Sequence, residues 1–167
     1  MSDVPVFDPL RIVAVLTKHR VAFVLVGAIA AGLHGFARAT ADADITPATD
    51  RANLKRLTAA LQSMNARVFT ESVPQGLPFE FDERSLAKAT MWNLVTDAGR
   101  LDIVFEPSGT RGYDDLMKAA VKFDIDGNVV HAASLVDIIR SKEAADRPQD
   151  RVDVLALRAM LAHIRKN

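Results

Sequence analysis

Two aspartates one residue apart, Asp42 and Asp44, have the spacing that most directly suggests metal chemistry in this chain. Successive side chains of a β-strand point to opposite faces, so both carboxylates would project from one face and could share a cation. The spacing alone is weak evidence, because a second pair, Asp124 and Asp126, precedes Gly127 and is typical of a turn. The interpretation of Asp42 and Asp44 therefore depends on the segments around them.

The segment before these aspartates has the features of a phosphate-binding turn. Ala22 to Val26 is a short apolar run that predicts a buried strand, and Gly27 ends it. A short helix is predicted from Ala28 to His34. Glycine lets the backbone approach a phosphate closely, and the first N–H groups of a helix can bind an anion. We expect this turn to lie beside Asp42 and Asp44.

A third carboxylate, Asp102, lies within the apolar run from Leu101 to Phe105. The turn from Asp97 to Arg100 separates this run from Met91 to Thr96, which predicts an antiparallel hairpin. An ionised side chain inside an apolar strand needs a compensating partner such as a metal ion. The alternative is a strand residue that faces solvent. If the strands lie side by side to bury their apolar residues, all three carboxylates converge.

The remaining segments predict helices, a second hairpin and one long loop. The hairpin is expected around residues 126–128, and Pro74, Gly76 and Pro78 predict a loop from Val73 to Phe81. Capping residues and hydrophobic spacing indicate four more helices. They run from Pro9 to about His19, from a cap at Thr49 or Asp50 through Leu54, Leu57, Leu61 and Met64, from Ser134 to about Ala145, and from Pro148 onward. These elements predict a single α/β domain.

The order of the motifs resembles the nucleotidyltransferase fold, the polymerase beta-like superfamily that includes CCA-adding enzymes and the nucleotidyltransferase toxins of abortive-infection systems. Residues 25–30 resemble the family's glycine turn, residues 42–45 its Asp-x-Asp strand, and residues 101–103 the strand of its third carboxylate. Lys142, Arg147, Asp150 and Asp153 are similar to a nucleotide-site segment of the toxin branch. Together these motifs span most of the chain from Ala22 to Leu157. The charged residues of this C-terminal segment are explained equally well as the ordinary surface charge of a helix.

The resemblance implies a fold, an activity and a set of site residues. The fold is an α/β (α+β) mixed sheet flanked by helices, with a catalytic core over residues 1–133 and a C-terminal helical segment over 134–167 packed on it. The catalytic and metal-binding residues implied are Asp42, Asp44 and Asp102, with Mg²⁺ or Mn²⁺ as cofactor. The nucleotide-binding residues implied are Gly27, Ala28, Arg38, Thr40, Lys142, Arg147 and Asp150.

The implied reaction is transfer of a nucleoside monophosphate from a nucleoside triphosphate to an acceptor hydroxyl. Two metal ions would bridge the triphosphate, activate the hydroxyl and stabilise the departing pyrophosphate. In this scheme Asp102 is the metal ligand expected on the side of the general base, where the acceptor hydroxyl is activated. The toxin branch implies an RNA end, such as tRNA, as acceptor and a cognate antitoxin as protein partner, whereas other small relatives modify a protein or a small molecule.

One position departs from the family pattern. The residue after the first glycine is usually serine or a second glycine, and here it is Ala28, which has no hydroxyl to offer a phosphate. The departure favours, as an alternative, a catalytically inactive module that binds nucleotide or a protein partner. His34, next to the turn, is expected to be a structural hydrogen-bonding group.

Composition narrows the remaining choices. The chain has 167 residues and no cysteine, so a metal would have to be held by carboxylate, imidazole or carbonyl groups, which favours hard ions such as Mg²⁺. Basic and acidic residues balance at 21 each, so no overall charge attracts nucleic acid or anionic lipid. The sequence shows neither a secretory leader nor an apolar run long enough to span a bilayer, which predicts a cytoplasmic protein without a membrane partner.

Overall fold

The computed structural model describes residues 4–167, which form one mixed sheet of eight strands with helices packed on it. The sheet order is β4-β3-β5-β6-β2-β1-β8-β7. In chain order the elements are α1 (Pro9–Lys18), β1 (Phe23–Val26), α2 (Gly27–Leu33), β2 (Asp42–Pro47), α3 (Arg51–Ser63), β3 (Arg67–Thr70), β4 (Val73–Leu77), α4 (Glu83–Ala87), β5 (Met91–Thr96), β6 (Gly99–Val104), α5 (Tyr113–Met117), β7 (Val121–Ile125), β8 (Asn128–Ala132), α6 (Leu135–Ala145) and α7 (Pro148–Lys166). The α/β class and the mixed sheet predicted from the sequence are confirmed.

The predicted helix starts are set by side-chain caps. Asp8 accepts a hydrogen bond from the Arg11 N–H, and Asp50, rather than Thr49, caps α3 through the Asn53 N–H. Ser134 caps α6 in the same way. Each cap satisfies an N–H group that has no partner within the helix. The cap of α3 also fixes Asn53, whose buried amide bonds both backbone groups of Ala22 just before β1.

The loop predicted from Val73 to Phe81 is wrong over its first half. Residues 73–77 form β4, an edge strand that pairs with β3. Pro74 is tolerated there because an edge strand leaves some N–H groups unpaired. Gly76 has φ +92°, and a Cβ at that position would lie 2.5 Å from the Arg67 Cβ. The proline and the glycine therefore mark an irregular edge strand, which resembles a loop in the sequence.

The centre of the sheet brings together segments that are far apart in the chain. Strand β2 pairs in parallel with β6 and antiparallel with β1, and β1 pairs in parallel with β8. Helix α6 packs against α7 and also contacts α2, which follows β1 directly. The division into a core over 1–133 and a C-terminal segment over 134–167 stays a prediction. None of the helices in residues 4–167 combines the length and apolar character needed to cross a bilayer.

Candidate active site

The three aspartates predicted as metal ligands meet at the junction of β2 and β6. The parallel register places Asp44 beside Asp102, and Asp42 lies two residues earlier on the same face. One carboxylate oxygen from each of the three residues lies within 4.8 Å of the other two. The convergence expected from the apolar character of the two strands is therefore present.

Burial on the opposite face fixes this arrangement. Ala43 and Ile45 alternate with the aspartates on β2, and Leu101 and Ile103 alternate with Asp102 on β6; all four are 0–1% exposed. A shift of one residue in either strand would turn these apolar side chains to the site and bury the carboxylates in the core. Hydrophobic burial thus sets the register that forces the negative charges together.

The crowding changes the acidity of two carboxyls. Burial, together with the charges of Asp42 and Asp102, raises the pKa of Asp44 from 3.8 to about 7 against the opposing charges of Arg100 and Arg147. Burial, followed by the charge of Asp42, raises the pKa of Asp102 to about 6. These shifts are expected of carboxyl groups that are partly buried and lie beside like charges. Three oxygen donors at this spacing suit a hard divalent ion such as Mg²⁺ or Mn²⁺.

The glycine turn lies against the triad, as the sequence predicted. Val26 at the end of β1 pairs with Asp44, and Gly27 follows with φ +69°. A Cβ at Gly27 would lie only 2.4 Å from the Asp44 Oδ2. Both the backbone conformation and this close approach therefore require glycine.

Thr40 acts on the first aspartate of the triad. Its hydroxyl lies 3.0 Å from the carbonyl oxygen of Asp42 and 3.3 Å from the Asp42 Oδ1. The threonine is therefore placed to orient Asp42, while it also lines the same cavity. The sequence predicted it as a nucleotide-binding residue, and that role stays a prediction.

Three basic side chains form one wall of the cavity, here called the cationic wall: Arg38, Lys142 and Arg147. The Lys142 Nζ lies 3.1 Å from Asp153 Oδ2 and 3.5 Å from Asp150 Oδ1. Arg147 donates from Nε to Asp150 Oδ2 at 2.7 Å, and Arg38 pairs with Asp153. The two aspartates are 3% and 4% exposed, so they tie three cations to the start of α7.

Hydrogen bonds keep these two aspartates charged in spite of their burial. Burial raises the pKa of Asp153, but bonds from Gln149 and Lys142 outweigh it, so its pKa lies below the usual value. Bonds from Arg147 do the same for Asp150. A buried charge is tolerated only when it is paired in this way. Together, the three cations of the wall and these two aspartates carry a net formal charge of +1.

The triad and the cationic wall open into one cavity of about 630 Å³. Gly27, Ala28 and Thr40 also line this cavity. The volume is typical of a small-molecule or nucleotide site. The three carboxylates and the three basic groups therefore line a single cavity.

Two residues singled out in the sequence have structural surroundings of their own. Asp150 is not among the residues that line the cavity; it lies behind Lys142 and Arg147 and holds them. His34 lies with Nε2 2.8 Å from the Ala133 carbonyl oxygen and packs edge-on against Phe123. His34 is thus a structural group, as expected from its position beside a glycine.

Arg100 was missed by the sequence reasoning. Its guanidinium lies 3.6 Å above the ring of Phe69, and its Nη2 lies 3.5 Å from the Asp102 Oδ1. The spacing of Arg100 and Asp102 could have predicted their proximity, because residues 100 and 102 share a face of any strand that contains both. Phe69 could not have been found, since β3 was not predicted.

Comparison with known proteins rests on solved structures, because neither a family model nor a curated protein matches the sequence. The lincosamide antibiotic adenylyltransferase LnuA, solved with lincomycin bound, superposes with a TM-score of 0.60 and 14% identity over 93% of this chain and 99% of that one. An antigenic nucleotidyltransferase-like protein from Paracoccidioides brasiliensis gives 0.56 and 15%, over 92% of this chain and 73% of that one.

A third structure, the antibiotic-resistance factor ANT(2'')-Ia in solution, gives a TM-score of 0.53 and 16% identity over 93% of this chain and 88% of that one. The chain has the nucleotidyltransferase fold. At these identities the likeness establishes the fold alone, and closeness to the toxin branch stays a prediction. The carboxylate triad and the cationic wall are features of this chain's own residues on that nucleotidyltransferase fold.

We expect Asp44→Asn to stabilise the metal-free protein at neutral and higher pH. Since folding raises the pKa of Asp44 from 3.8 to about 7, the folded protein keeps a proton that the unfolded chain has lost between these values. Stability therefore falls as the pH rises through that window, and asparagine removes the effect. At pH 8 the midpoint of thermal unfolding should be a few degrees higher for the variant than for wild type. For a chain of this length, that shift corresponds to a gain of roughly 1 kcal/mol or more in the free energy of unfolding.

The difference should shrink towards pH 4, where Asp44 is protonated in the folded protein. Asp114→Asn, at an exposed position, is the control and should leave the pH profile unchanged. A destabilised Asp44→Asn at pH 8 would contradict the proposed crowding.

Gly27→Ala and Gly127→Ala separate backbone strain from the contact with Asp44. Both glycines have positive φ, but a Cβ at Gly127 meets nothing within 4 Å. Strain alone costs about 1–3 kcal/mol in either variant. We expect Gly27→Ala to lose at least about 1 kcal/mol more, because the new methyl group must displace Asp44. Equal losses in chemical denaturation would show that the close approach to Asp44 is unimportant.

Proposed function

We propose that the chain is a metal-dependent nucleotidyltransferase that moves a nucleoside monophosphate from a nucleoside triphosphate to an acceptor hydroxyl. One observation carries the proposal: a triad of carboxylates and a wall of three cations line the same cavity. A triphosphate needs both kinds of group, because cations neutralise its oxygens and carboxylates hold the metal that accompanies it. The lincosamide antibiotic adenylyltransferase LnuA, which has this fold, supports the same general reaction.

Asp42, Asp44 and Asp102 would hold Mg²⁺ or Mn²⁺. The fit rests on oxygen atoms within 4.8 Å of one another and on the raised pKa values of Asp44 and Asp102. A bound cation would relieve the repulsion among the carboxylates that contributes to these raised values. When bound, the metal supplies charge stabilisation to the reacting phosphate and lowers the pKa of a bound hydroxyl. The remaining steps depend on the chain's own residues.

The cationic wall binds and orients the triphosphate. Lys142, held by two buried aspartates, offers a fixed ammonium group, whereas Arg147 is 75% exposed and can reach towards the cavity. Arg147 is close enough to Asp44 to lower that residue's pKa, so the wall and the triad act on one small volume. In this arrangement Asp150 and Asp153 are positioning residues that keep the cations in place. The leaving pyrophosphate departs on the side of the wall.

Two classes of acceptor follow from the resemblances. The toxin-like C-terminal segment suggests an RNA end, with a cognate antitoxin as protein partner. LnuA, a lincosamide antibiotic adenylyltransferase solved with lincomycin bound, suggests a small molecule with a hydroxyl group. The reaction at the phosphate is the same for both.

A second candidate is an inactive module that binds nucleotide or a protein partner. Ala28 favours it, because this residue lines the cavity at the turn where a hydroxyl would contact a phosphate. Backbone N–H groups remain available in that turn, so we expect weakened binding of the phosphate and not its loss.

The test is transfer of label from each of the four α-labelled triphosphates, with Mg²⁺ or Mn²⁺, to total tRNA, cell extract and water. Wild-type protein should release pyrophosphate and form labelled product. Asp42→Asn combined with Asp44→Asn should lower the rate at least about a thousandfold, or about 4 kcal/mol, because it removes two ligand charges without changing shape. Asp114→Asn is the matched control.

Absence of metal-dependent turnover in wild-type protein would favour the inactive module. In that case Ala28→Ser distinguishes an enzyme with a defective turn from a binding module. Restored turnover would locate the defect at the phosphate turn, and a continued absence of turnover would support a binding role.

A further inference from the structure

Strand β7 forms one edge of the sheet, and it differs from β4, the strand at the other edge. Strand β4 contains Pro74, which has no N–H, and Gly76 at φ +92°, and its pairing with β3 shifts in register. Strand β7 contains neither proline nor glycine, and all of its residues pair with β8 in an unbroken register. Irregularity protects an edge strand from pairing with another chain. Strand β7 lacks that protection.

The β7–β8 turn determines which backbone groups of β7 face outward. Its two residues, Asp126 and Gly127, have φ of +52° and +84°, which is typical of the type I′ turn of a two-residue hairpin. In such a hairpin the flanking residues, Ile125 and Asn128, exchange backbone hydrogen bonds, and the bonded pairs then alternate along the strands. The backbone groups of Ile125 and Phe123 therefore turn towards β8.

The other neighbour of β8 leads to the same assignment. The Ala133 N–H donates to the Leu25 carbonyl oxygen of β1 at 2.9 Å, so odd-numbered residues of β8 bond to β1 and even-numbered ones to β7. The partners of those even-numbered residues in β7 are the odd-numbered ones. The N–H and C=O groups of Lys122 and Asp124 consequently point away from the sheet, where no strand of residues 4–167 pairs with them.

This free edge is complementary to itself. When two β7 strands pair antiparallel about Phe123, Lys122 of each copy lies directly opposite Asp124 of the other. The outward backbone groups then meet and form two hydrogen bonds for each of these residue pairs. Both charged side chains are exposed and share a face of the strand. The Asp124 Oδ1 accepts a hydrogen bond from the Gly127 N–H at 2.8 Å, so Oδ2 is the oxygen offered to the lysine.

The opposite face of the strand supplies apolar contacts in the same register. The half-buried ring of Phe123 packs edge-on against His34, with ring centroids 5.3 Å apart. The two Phe123 side chains would face each other at a pair without backbone hydrogen bonds, where side chains are closest, and aromatic pairs stabilise sheets at such positions. Val121, which is 40% exposed, would face Ile125 of the second copy.

We propose that two copies of this chain associate through β7, paired antiparallel with Lys122 of each copy opposite Asp124 of the other. The inference does not depend on the proposed function. The same residues serve on both copies, as a closed twofold interface requires. The two sheets become one continuous sheet of sixteen strands, eight from each copy. Because a pair of short strands buries less surface than a standard interface, we expect association at micromolar or higher concentrations.

Sedimentation velocity over protein concentrations from about 1 μM to about 1 mM measures this association. Wild-type protein should change from monomer to dimer within the range. Lys122→Glu places glutamate opposite Asp124 at both ends of the pairing and should raise the dissociation constant of the dimer at least about tenfold, because like charges directly opposite each other repel. Lys88→Glu makes the same change at an exposed lysine after α4 and should leave the dissociation constant unchanged.

A mixture of two charge variants tests the register. Asp124→Lys places lysine opposite lysine and should also weaken self-association. When Lys122→Glu and Asp124→Lys are mixed, every acidic side chain lies opposite a basic one, so a mixed dimer should form with about wild-type affinity. Thermal unfolding of each variant checks that it is folded, since Asp124→Lys also removes the hydrogen bond to Gly127.

Lys122→Pro is an independent variant, because it removes an N–H that points away from β8. It should remain folded and monomeric over the whole concentration range. Three results would each overturn the pairing: wild-type protein that is monomeric up to about 1 mM, Lys122→Glu or Lys122→Pro that dimerises as strongly as wild type, or folded charge variants that form no mixed dimer.

Discussion

Repulsion among three carboxylates at the β2–β6 junction is the constraint on which the rest of the site depends. The chain folds in spite of this repulsion because the opposite face of the same strands buries Ile45, Leu101 and Ile103 completely. Burial of each such side chain stabilises the fold by about 1.5–3 kcal/mol. Burial of the carboxyls, together with this repulsion, raises the pKa values of Asp44 and Asp102. A cation bound among the three carboxylates would remove this repulsion, and the proposed metal dependence rests on that arrangement.

In the cationic wall, by contrast, opposite charges are paired. There two aspartates are almost completely buried, and each is matched by at least two basic groups. Removing either aspartate would leave cations without partners, and removing the cations would leave buried charge. One side of the cavity thus has excess negative charge, and the other has fixed positive charge. The metal-bound triphosphate of the proposed function would complement both sides.

The sequence allowed prediction of the elements whose residues carry local signals. Caps at Asp8 and Ser134, the apolar run before Gly27 and the hairpin turn at 97–100 all led to the correct elements. Convergence of Asp102 with Asp44 also followed, because two apolar strands must pair. The stack of Arg100 on Phe69 and the burial of Asp150 depend on contacts between distant segments. Hydrophobic periodicity predicts neither contact, and the structure was needed to distinguish the cations that line the cavity from the aspartates that hold them.

The most direct measurement is a crystal structure with Mn²⁺ and a non-hydrolysable nucleoside triphosphate, with the metal located by anomalous scattering. The account predicts an anomalous peak among the carboxylates of Asp42, Asp44 and Asp102, with the triphosphate running from that peak to Lys142 and Arg147. A triphosphate bound without metal at the triad, or metal bound elsewhere on the chain, would contradict it.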